Sequence, residues 1–300
     1  CLENYNKVTI TEPYSKIFIR DLKSKKKFHS ALNINLPKKL KFKKFSKDLL
    51  KEKFDLIVIA LSLSGINFIG EEIKKLKIKT PILVLTKGLK YEKKRKKIIT
   101  ISEQLLNNYK GMNISVLKGP CLAKELATKN QTSVVIANRN IKIAKLIGKM
   151  ISTKFYHTEY STDIIGVEVC SAIKNLYSMI IGAGQSLNAS SNLFQKSIIE
   201  MRYLTKYFKG KDETTFGLAG VGDLYVSAAG GRNSKMGSYL GKGYTFKSAK
   251  KRFMPKDTVE GEQLAREISP FIFKKINKKK IPLMISLLKA ILNNKKLKIN

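Results

Sequence analysis

The chain has 300 residues, 43% of them hydrophobic and 27% charged, which is enough to bury a sizeable core and excludes a disordered polypeptide. Lys and Arg number 59 against 22 Asp and Glu, for a net charge of +37. Only seven of the basic residues are Arg and the lysines are spread through nearly every segment, so the charge reads as a solvated surface that attracts small anions and not as a specific nucleic-acid site, which favours the Arg fork.

Three cysteines, Cys1, Cys121 and Cys170, form neither a CxxC pair nor a disulfide framework, and a reducing, cytoplasmic location is expected. Two histidines, His29 and His157, give no Cys/His spacing for a zinc site, and neither accompanies a G-x-S-x-G elbow, so no metal is expected and hydrolase chemistry is disfavoured.

The chain opens on Cys without a charged-then-apolar leader, and loss of upstream residues is the expectation. The first strand signal is a short run at Lys16–Ile19 followed by Arg20 and Asp21. An open α/β domain that binds a dinucleotide normally places a strand and G-x-G-x-x-G before such a point. That motif occurs nowhere in these residues; truncation is the simpler explanation and loss of cofactor binding the alternative.

Continuous apolar runs follow at Asp55–Leu61 (DLIVIAL), Pro81–Thr86 (PILVLT) and Ser133–Ala137 (SVVIA), as expected of parallel strands buried on both faces, and a further strand is expected at Ile114–Leu117. Between them helices are expected over Glu71–Leu76, Lys97–Asn107 and Ile141–Ile151. Beyond residue 157 the spacing predicts helices only, at Asp163–Ala183, Leu193–Tyr207, Thr258–Ile268 and Pro282–Leu292. The fold class expected is an α/β Rossmann-like N-terminal domain, its first strand and glycine-rich loop missing, over residues 1–157, then an all-α C-terminal domain over 158–300, with a tight hinge near 154–162. Ligands of such folds sit at the carboxyl ends of the strands. The run Ile164–Gly184 has the length of a membrane span, but it carries Glu168, Lys174 and Asn175 and reads as a buried helix.

Lys174 lies midway along that apolar run with Cys170, Ser171, Tyr177 and Ser178 three and four positions away. Desolvation lowers a lysine's pKa and makes it a proton donor near neutrality; a structural ion pair with Glu168 is the alternative. The glycines at 182 and 184 bring backbone close to another helix or to a ligand. In Gly217–Gly237, Asp223 and Ser227 precede Gly230-Gly231-Arg232-Asn233 in a stretch too glycine-rich for ordinary helix. Backbone N–H groups, a guanidinium and an amide at a helix start suit a phosphate, and a glycine-rich surface turn is the competing reading. Lys87 follows the PILVL strand at its carboxyl end, either reaching the cleft or solvated. Gly119-Pro120-Cys121-Leu122-Ala123 is a strand-to-helix connection or a binding loop.

These segments occur together in one family. From about Ser64 to Pro282 the motifs LTKGL, GPCLAKELA, IIGVEVCSAIKNLYSMIIGAG, GLAGVGDLYVSAAGGRN and TVEGEQLA resemble, in order and spacing, the NAD(P)-dependent glycerol-3-phosphate dehydrogenases. The resemblance implies hydride transfer between a nicotinamide and a three-carbon phosphate, feeding glycerophospholipid synthesis. It implies Lys174 as general acid/base, Lys87, Asp223 and Ser227 around the substrate oxygens, and Arg232 and Asn233 on the phosphate. Gly119, Cys121 and Ala123 correspond to the loop between substrate and cofactor, with Cys121 where Ser or Thr is usual. Thr258 and Glu260 correspond to cofactor-side residues, joined there by Lys87 and Arg232. Arg20 suits a 2′-phosphate and Asp21 a ribose hydroxyl, which leaves NAD versus NADP open. The family is compatible with a homodimer. A degenerate binding protein or a related hydroxyacid dehydrogenase are the competing functions.

Overall fold

The computed structural model describes residues 6–12, 28–29 and 32–299; Cys1 and the run at 16–21 with Arg20 and Asp21 lie outside the described residues. Four short strands come first: β1 (Thr9–Glu12), β2 (Phe28–His29), β3 (Ile34–Asn35) and β4 (Lys41–Lys44). β1 pairs in parallel with β4, and β2 with β3 antiparallel, apart from the main sheet.

The main sheet uses β5 (Ile57–Ile59), β6 (Ile82–Val84), β9 (Ile114–Lys118), β10 (Thr132–Ala137) and β11 (Tyr156–Ser161) in the order β11-β10-β9-β6-β5. Between β6 and β9 the hairpin β7 (Leu89–Glu92) and β8 (Lys97–Thr100) stands off the sheet. Pairing is parallel except between β9 and β10. The apolar runs of β6, β9 and β10 become buried strands because helices cover both faces there, whereas β5 leaves Val58 exposed and the edge strand β11 alternates half-buried and exposed residues. On one face α1 (Leu63–Lys75) and α2 (Ile101–Asn108) pack Ile66, Ile73, Ile101 and Leu105 against Val84 and Val116. The short α3 (Ala123–Ala127) follows β9, and α4 (Ile141–Ile151) packs Ala144, Ile147 and Ile151 against Leu83 and Ile136 on the opposite face.

β11 continues the sheet through Ser161, and helices only follow among the described residues: α5 (Ile164–Gly182), α6 (Leu187–Tyr207), α7 (Asp212–Phe216), α8 (Asp223–Gly230), α9 (Arg232–Gly241), α10 (Phe246–Phe253), α11 (Glu260–Lys275) and α12 (Pro282–Leu292). α5 is their axis. It buries every residue except Ile165 and Gly182, against a core that includes Leu193, Met201, Leu224, Met236, Leu264 and Leu288. Among the described residues it is the helix long and apolar enough to cross a bilayer, and 89% of its apolar window is inside the protein.

Five expectations differ. The stretch 154–162, expected as a hinge with helices only beyond 157, is strand β11, paired in parallel with β10 through Ser161. β10, expected parallel, runs antiparallel to its neighbour β9, since the short α3 between them makes no crossover over the sheet. The helix expected at 71–76 begins eight residues earlier in sequence, at Leu63, because Gly65 and Gly70 sit where neighbouring side chains come close and do not break it. The helix expected over 97–107 is strand β8 up to Thr100 and helix only from Ile101. Thr100 makes the break: its side chain accepts from the Glu103 amide while the Glu103 carboxylate accepts from the Thr100 amide, a capping box. The stretch 217–237, expected as loop, is a π-helical turn over Leu218–Gly222, then α8 and α9.

Candidate functional site

Asp223 organises the chemistry. The widened turn Leu218–Gly222 delivers it as the first residue of α8, 3% exposed, and π-type turns of this kind recur at functional sites. Gly220 permits the turn, since a Cβ there would fall 2.0 Å from the Thr215 carbonyl oxygen. Asp223 Oδ1 accepts from Lys174 Nζ at 2.8 Å and Oδ2 from Lys87 Nζ at 2.8 Å. One buried carboxylate thus joins a lysine from the sheet to a lysine from the helical half. Lys174 Nζ also donates to Ser227 Oγ, one turn further along α8. Glu168 is not the partner of Lys174: it accepts from the Ser102 amide at 3.1 Å and from the Ser102 hydroxyl, at the start of α2.

Burial pushes the Lys174 ammonium below the ordinary lysine range and the charge of Lys87 adds to the push, while Asp223 pulls in the opposite direction. Lys87 reaches Asp223 because β6 ends just before it. Thr86 Oγ1 donates to the Leu61 carbonyl at 2.7 Å, and Gly88, at φ +140°, turns the chain away into β7 in a conformation that glycine adopts without strain.

A second group lies beside this cluster. Gly231 caps α9, whose first residues are Arg232 and Asn233. Arg232 Nη2 donates to Glu260 Oε1 at 3.2 Å with both side chains about half exposed. Asn233 is buried: its Nδ2 donates to Asn175 Oδ1 at 3.2 Å and its Oδ1 accepts from the Gly261 amide at 2.9 Å. Asn175 in turn donates to Glu260 Oε2 at 3.2 Å. Asn175, one residue after Lys174, carries no role in the sequence reading, yet it ties α5, α9 and α11 together. Its signal was its position in the apolar helix on a polar neighbour's flank.

Between the two groups opens a cavity of about 410 Å³, lined among others by Ser62, Thr86, Lys87, Asn175, Thr258 and Glu260. It lies at the carboxyl ends of β5 and β6 and at the start of α1, the place where open α/β sheets receive ligands. A planar ring flanked by Leu61, Leu63 and Leu264 and by the amide of Asn175 fits this lining, so the residues present suit the nicotinamide end of a dinucleotide. Gly119 turns at φ +122° next to Leu218; Cys121 is exposed and free, and Ala123 starts α3. None of these three lines the cavity. A separate surface hollow of about 330 Å³, lined by Phe246, Lys250 and Arg266 among others, lies on α10 and α11 away from these residues.

The arrangement is an open α/β sheet whose strand ends meet a helical unit across a lysine–carboxylate–lysine bridge. Two family models, described as NAD-dependent glycerol-3-phosphate dehydrogenase N-terminus and C-terminus, match residues 2–144 and 163–299. The chain belongs to the NAD-dependent glycerol-3-phosphate dehydrogenase family. A protein of Clostridium botulinum named glycerol-3-phosphate dehydrogenase (NAD(P)+) is 31% identical over 199 residues, 64% of this chain and 59% of the relative. An NADP(+)-dependent glycerol-3-phosphate dehydrogenase of Archaeoglobus fulgidus is 29% identical over 66% of this chain and 62% of its own. The matched segment thus spans less than two thirds of these relatives. The crystal structure of a glycerol-3-phosphate dehydrogenase from Coxiella burnetii superposes with a TM-score of 0.85 over 98% of this chain and 90% of that one, at 24% identity, a likeness of fold.

Proposed function

We propose that this chain, in the cytoplasm, interconverts sn-glycerol 3-phosphate and dihydroxyacetone phosphate with NAD or NADP, supplying glycerophospholipid synthesis. The observation that carries the reading is Asp223 held between Lys87 and Lys174 at 2.8 Å each, beside a cavity at the strand ends. Residues 1–157 carry the strands whose ends receive the dinucleotide and residues 158–300 most of the groups for the substrate, with Lys87 crossing to the substrate and Asn175, Thr258 and Glu260 to the dinucleotide.

Thr86, Asn175, Thr258 and Glu260 line the cavity and would hold the nicotinamide end of a dinucleotide, which would supply or accept the hydride at carbon 2. Lys174 gives its proton to the substrate oxygen during reduction and takes it back during oxidation. Burial and Lys87 favour the neutral lysine left after donation, and Asp223 favours the ammonium that must be restored; the balance lets the proton move both ways. Lys87 and Ser227 hold the oxygen against Lys174. Arg232 and Asn233, at the start of α9, receive the phosphate, for which Arg232 exchanges its exposed contact with Glu260.

The test is dihydroxyacetone-phosphate-dependent oxidation of NADH and NADPH, followed by absorbance, for this chain and its Lys174→Ala variant. Turnover that falls by about 10²- to 10⁴-fold in the variant is the expected outcome for loss of a positioned acid. A second reading, a family member that keeps the fold without turnover, rests on the absence of G-x-G-x-x-G from these 300 residues. It is favoured if neither coenzyme is oxidised while calorimetry still registers binding of the phosphate substrate.

A further inference from the structure

Lys118 ends β9, and the alternation of the strand puts it on the same face as Ile114 and Val116, toward α2 and α5. It is 2% exposed. An ammonium at that depth persists only where its protons find acceptors. The acceptors are three successive backbone carbonyls: Thr86 at 2.6 Å, Leu85 at 3.1 Å and Val84 at 3.4 Å. The register of β6 with β9 ends at Val84 opposite Val116, and β9 then turns off at Gly119. Beyond that point the Lys118 side chain continues the connection that strand pairing has given up.

The segment it grips leads directly into Lys87. The charged groups that face Lys118 are Glu168 from α5, Lys87 from the strand end and Asp223 from α8. Together with Lys174 they make three lysines against two carboxylates.

We propose that Lys118 is a positioning residue for the site: it fixes the end of β6 so that Lys87 meets Asp223, and it supplies the cation that leaves the site positive toward an anionic substrate. The inference rests on the dehydrogenase reading for its kinetic consequence and on the geometry alone for its structural one. Burial pushes Lys118 down to about 8, with Glu168 pulling it back up. The positive surplus therefore fades as pH rises through that value.

The experiment uses Lys118→Met, which keeps the length of the side chain and removes charge and donors, and Lys118→Gln, which keeps a donor without the charge. Each is assayed for kcat and KM with dihydroxyacetone phosphate and NADH over a pH series, and each is labelled at lysine Cε for NMR. Lys118→Met lowers kcat at least tenfold with the KM for NADH within twofold, Lys118→Gln recovers part of the loss, and the part of the alkaline fall near pH 8 that Lys118 contributes is lost from both, leaving the limb of Lys174. In NMR the Lys87 signal moves in Lys118→Met. If Lys118→Met is folded by circular dichroism and keeps kcat within twofold, the inference is overturned. If Lys118→Met does not fold, Lys118→Gln decides on the same two readouts. If the wild-type protein turns over no substrate, the dehydrogenase reading fails by itself, and the position of Lys87 in the NMR spectra still decides: an unmoved signal overturns the tether and a moved one supports it.

Discussion

Lys174 was legible as a residue because a lysine in the middle of an apolar helix must be satisfied by something. What satisfies it was not legible. Sequence proximity offered Glu168, but Glu168 points to the start of α2, and the partner, Asp223, comes from 49 positions away. Because Asp223 holds the Lys174 pKa up more than Glu260 does, Asp223→Asn lets burial and Lys87 push it further down. Less of Lys174 is then protonated at a given pH, so the alkaline limb of kcat/KM for reduction moves to lower pH, which a pH–rate series in both directions measures. Arg232→Lys keeps the charge and loses the planar fork; the KM for dihydroxyacetone phosphate is expected to rise about tenfold, or about 1.4 kcal/mol, with the KM for NADH changed less. Lys118 had a signal that went unread: in Ile114-Ser-Val-Leu-Lys118 the period of two puts it inside with the isoleucine and valine. Arg20 lies outside the described residues.

Elements were legible where apolar runs were long, as in β6, β10 and α5. They were misjudged where glycine or a cap overrode the pattern. Ile98, Ile99, Ile101 and Leu105 read as one helical stripe, yet Thr100 and Glu103 stand at the spacing of a capping box and start the helix at Ile101. Thr100→Ala is expected to lose about 1 kcal/mol of stability, measured by urea unfolding. The glycines of 217–237 suggested a loop because glycine disfavours helix; here they let helices touch. A Cβ on Gly237 would lie 1.9 Å from the Met179 carbonyl oxygen and one on Gly182 2.2 Å from that of Ser234, so α5 and α9 cross backbone to backbone. Gly182 thus meets another helix, one of the two options its sequence context left. Gly237→Ala must part the two helices and with them Asn175 from Asn233; a loss of several degrees in Tm together with weaker phosphate-substrate binding is the expected pair of effects.

The whole molecule joins an α/β half to a helical half at polar contacts that include Lys87 with Asp223 and Ser102 with Glu168, around which the other buried charges gather. Lys87 and Lys118 come from the sheet, Glu168, Lys174 and Asp223 from the helices. The order of strands and helices was legible from periodicity, whereas the grouping of Lys87, Lys174 and Asp223 was legible only through the family resemblance, because it depends on side chains that meet from 49 to 136 positions apart. The molecule's pH dependence follows from the shifts. Glu168 is pushed above the usual carboxylate range by burial, and so is Glu200, which accepts from the amides of Leu283 and Met284 at the start of α12. Both contribute stability that is full below the unfolded value of 4.5 and is lost as pH rises through their higher folded values. Lys118 has the opposite sign of shift, from 10.5 to about 8. Between those values the unfolded chain holds a proton that the folded one has released, so stability increases with pH across that window. The increment is at most about 3 kcal/mol from a shift of this size. A net charge of +37 acts in the same direction, since deprotonation relieves repulsion, but it is screened by salt whereas the buried lysine is not. Thermal unfolding of the wild-type protein and of Lys118→Met at pH 8 and pH 10, in high salt, separates the two. Tm is expected to rise with pH more steeply in the wild-type protein than in the variant, in which Lys174, also pushed down by burial, still contributes; parallel curves would mean that Lys118 keeps an ordinary lysine titration in the folded protein.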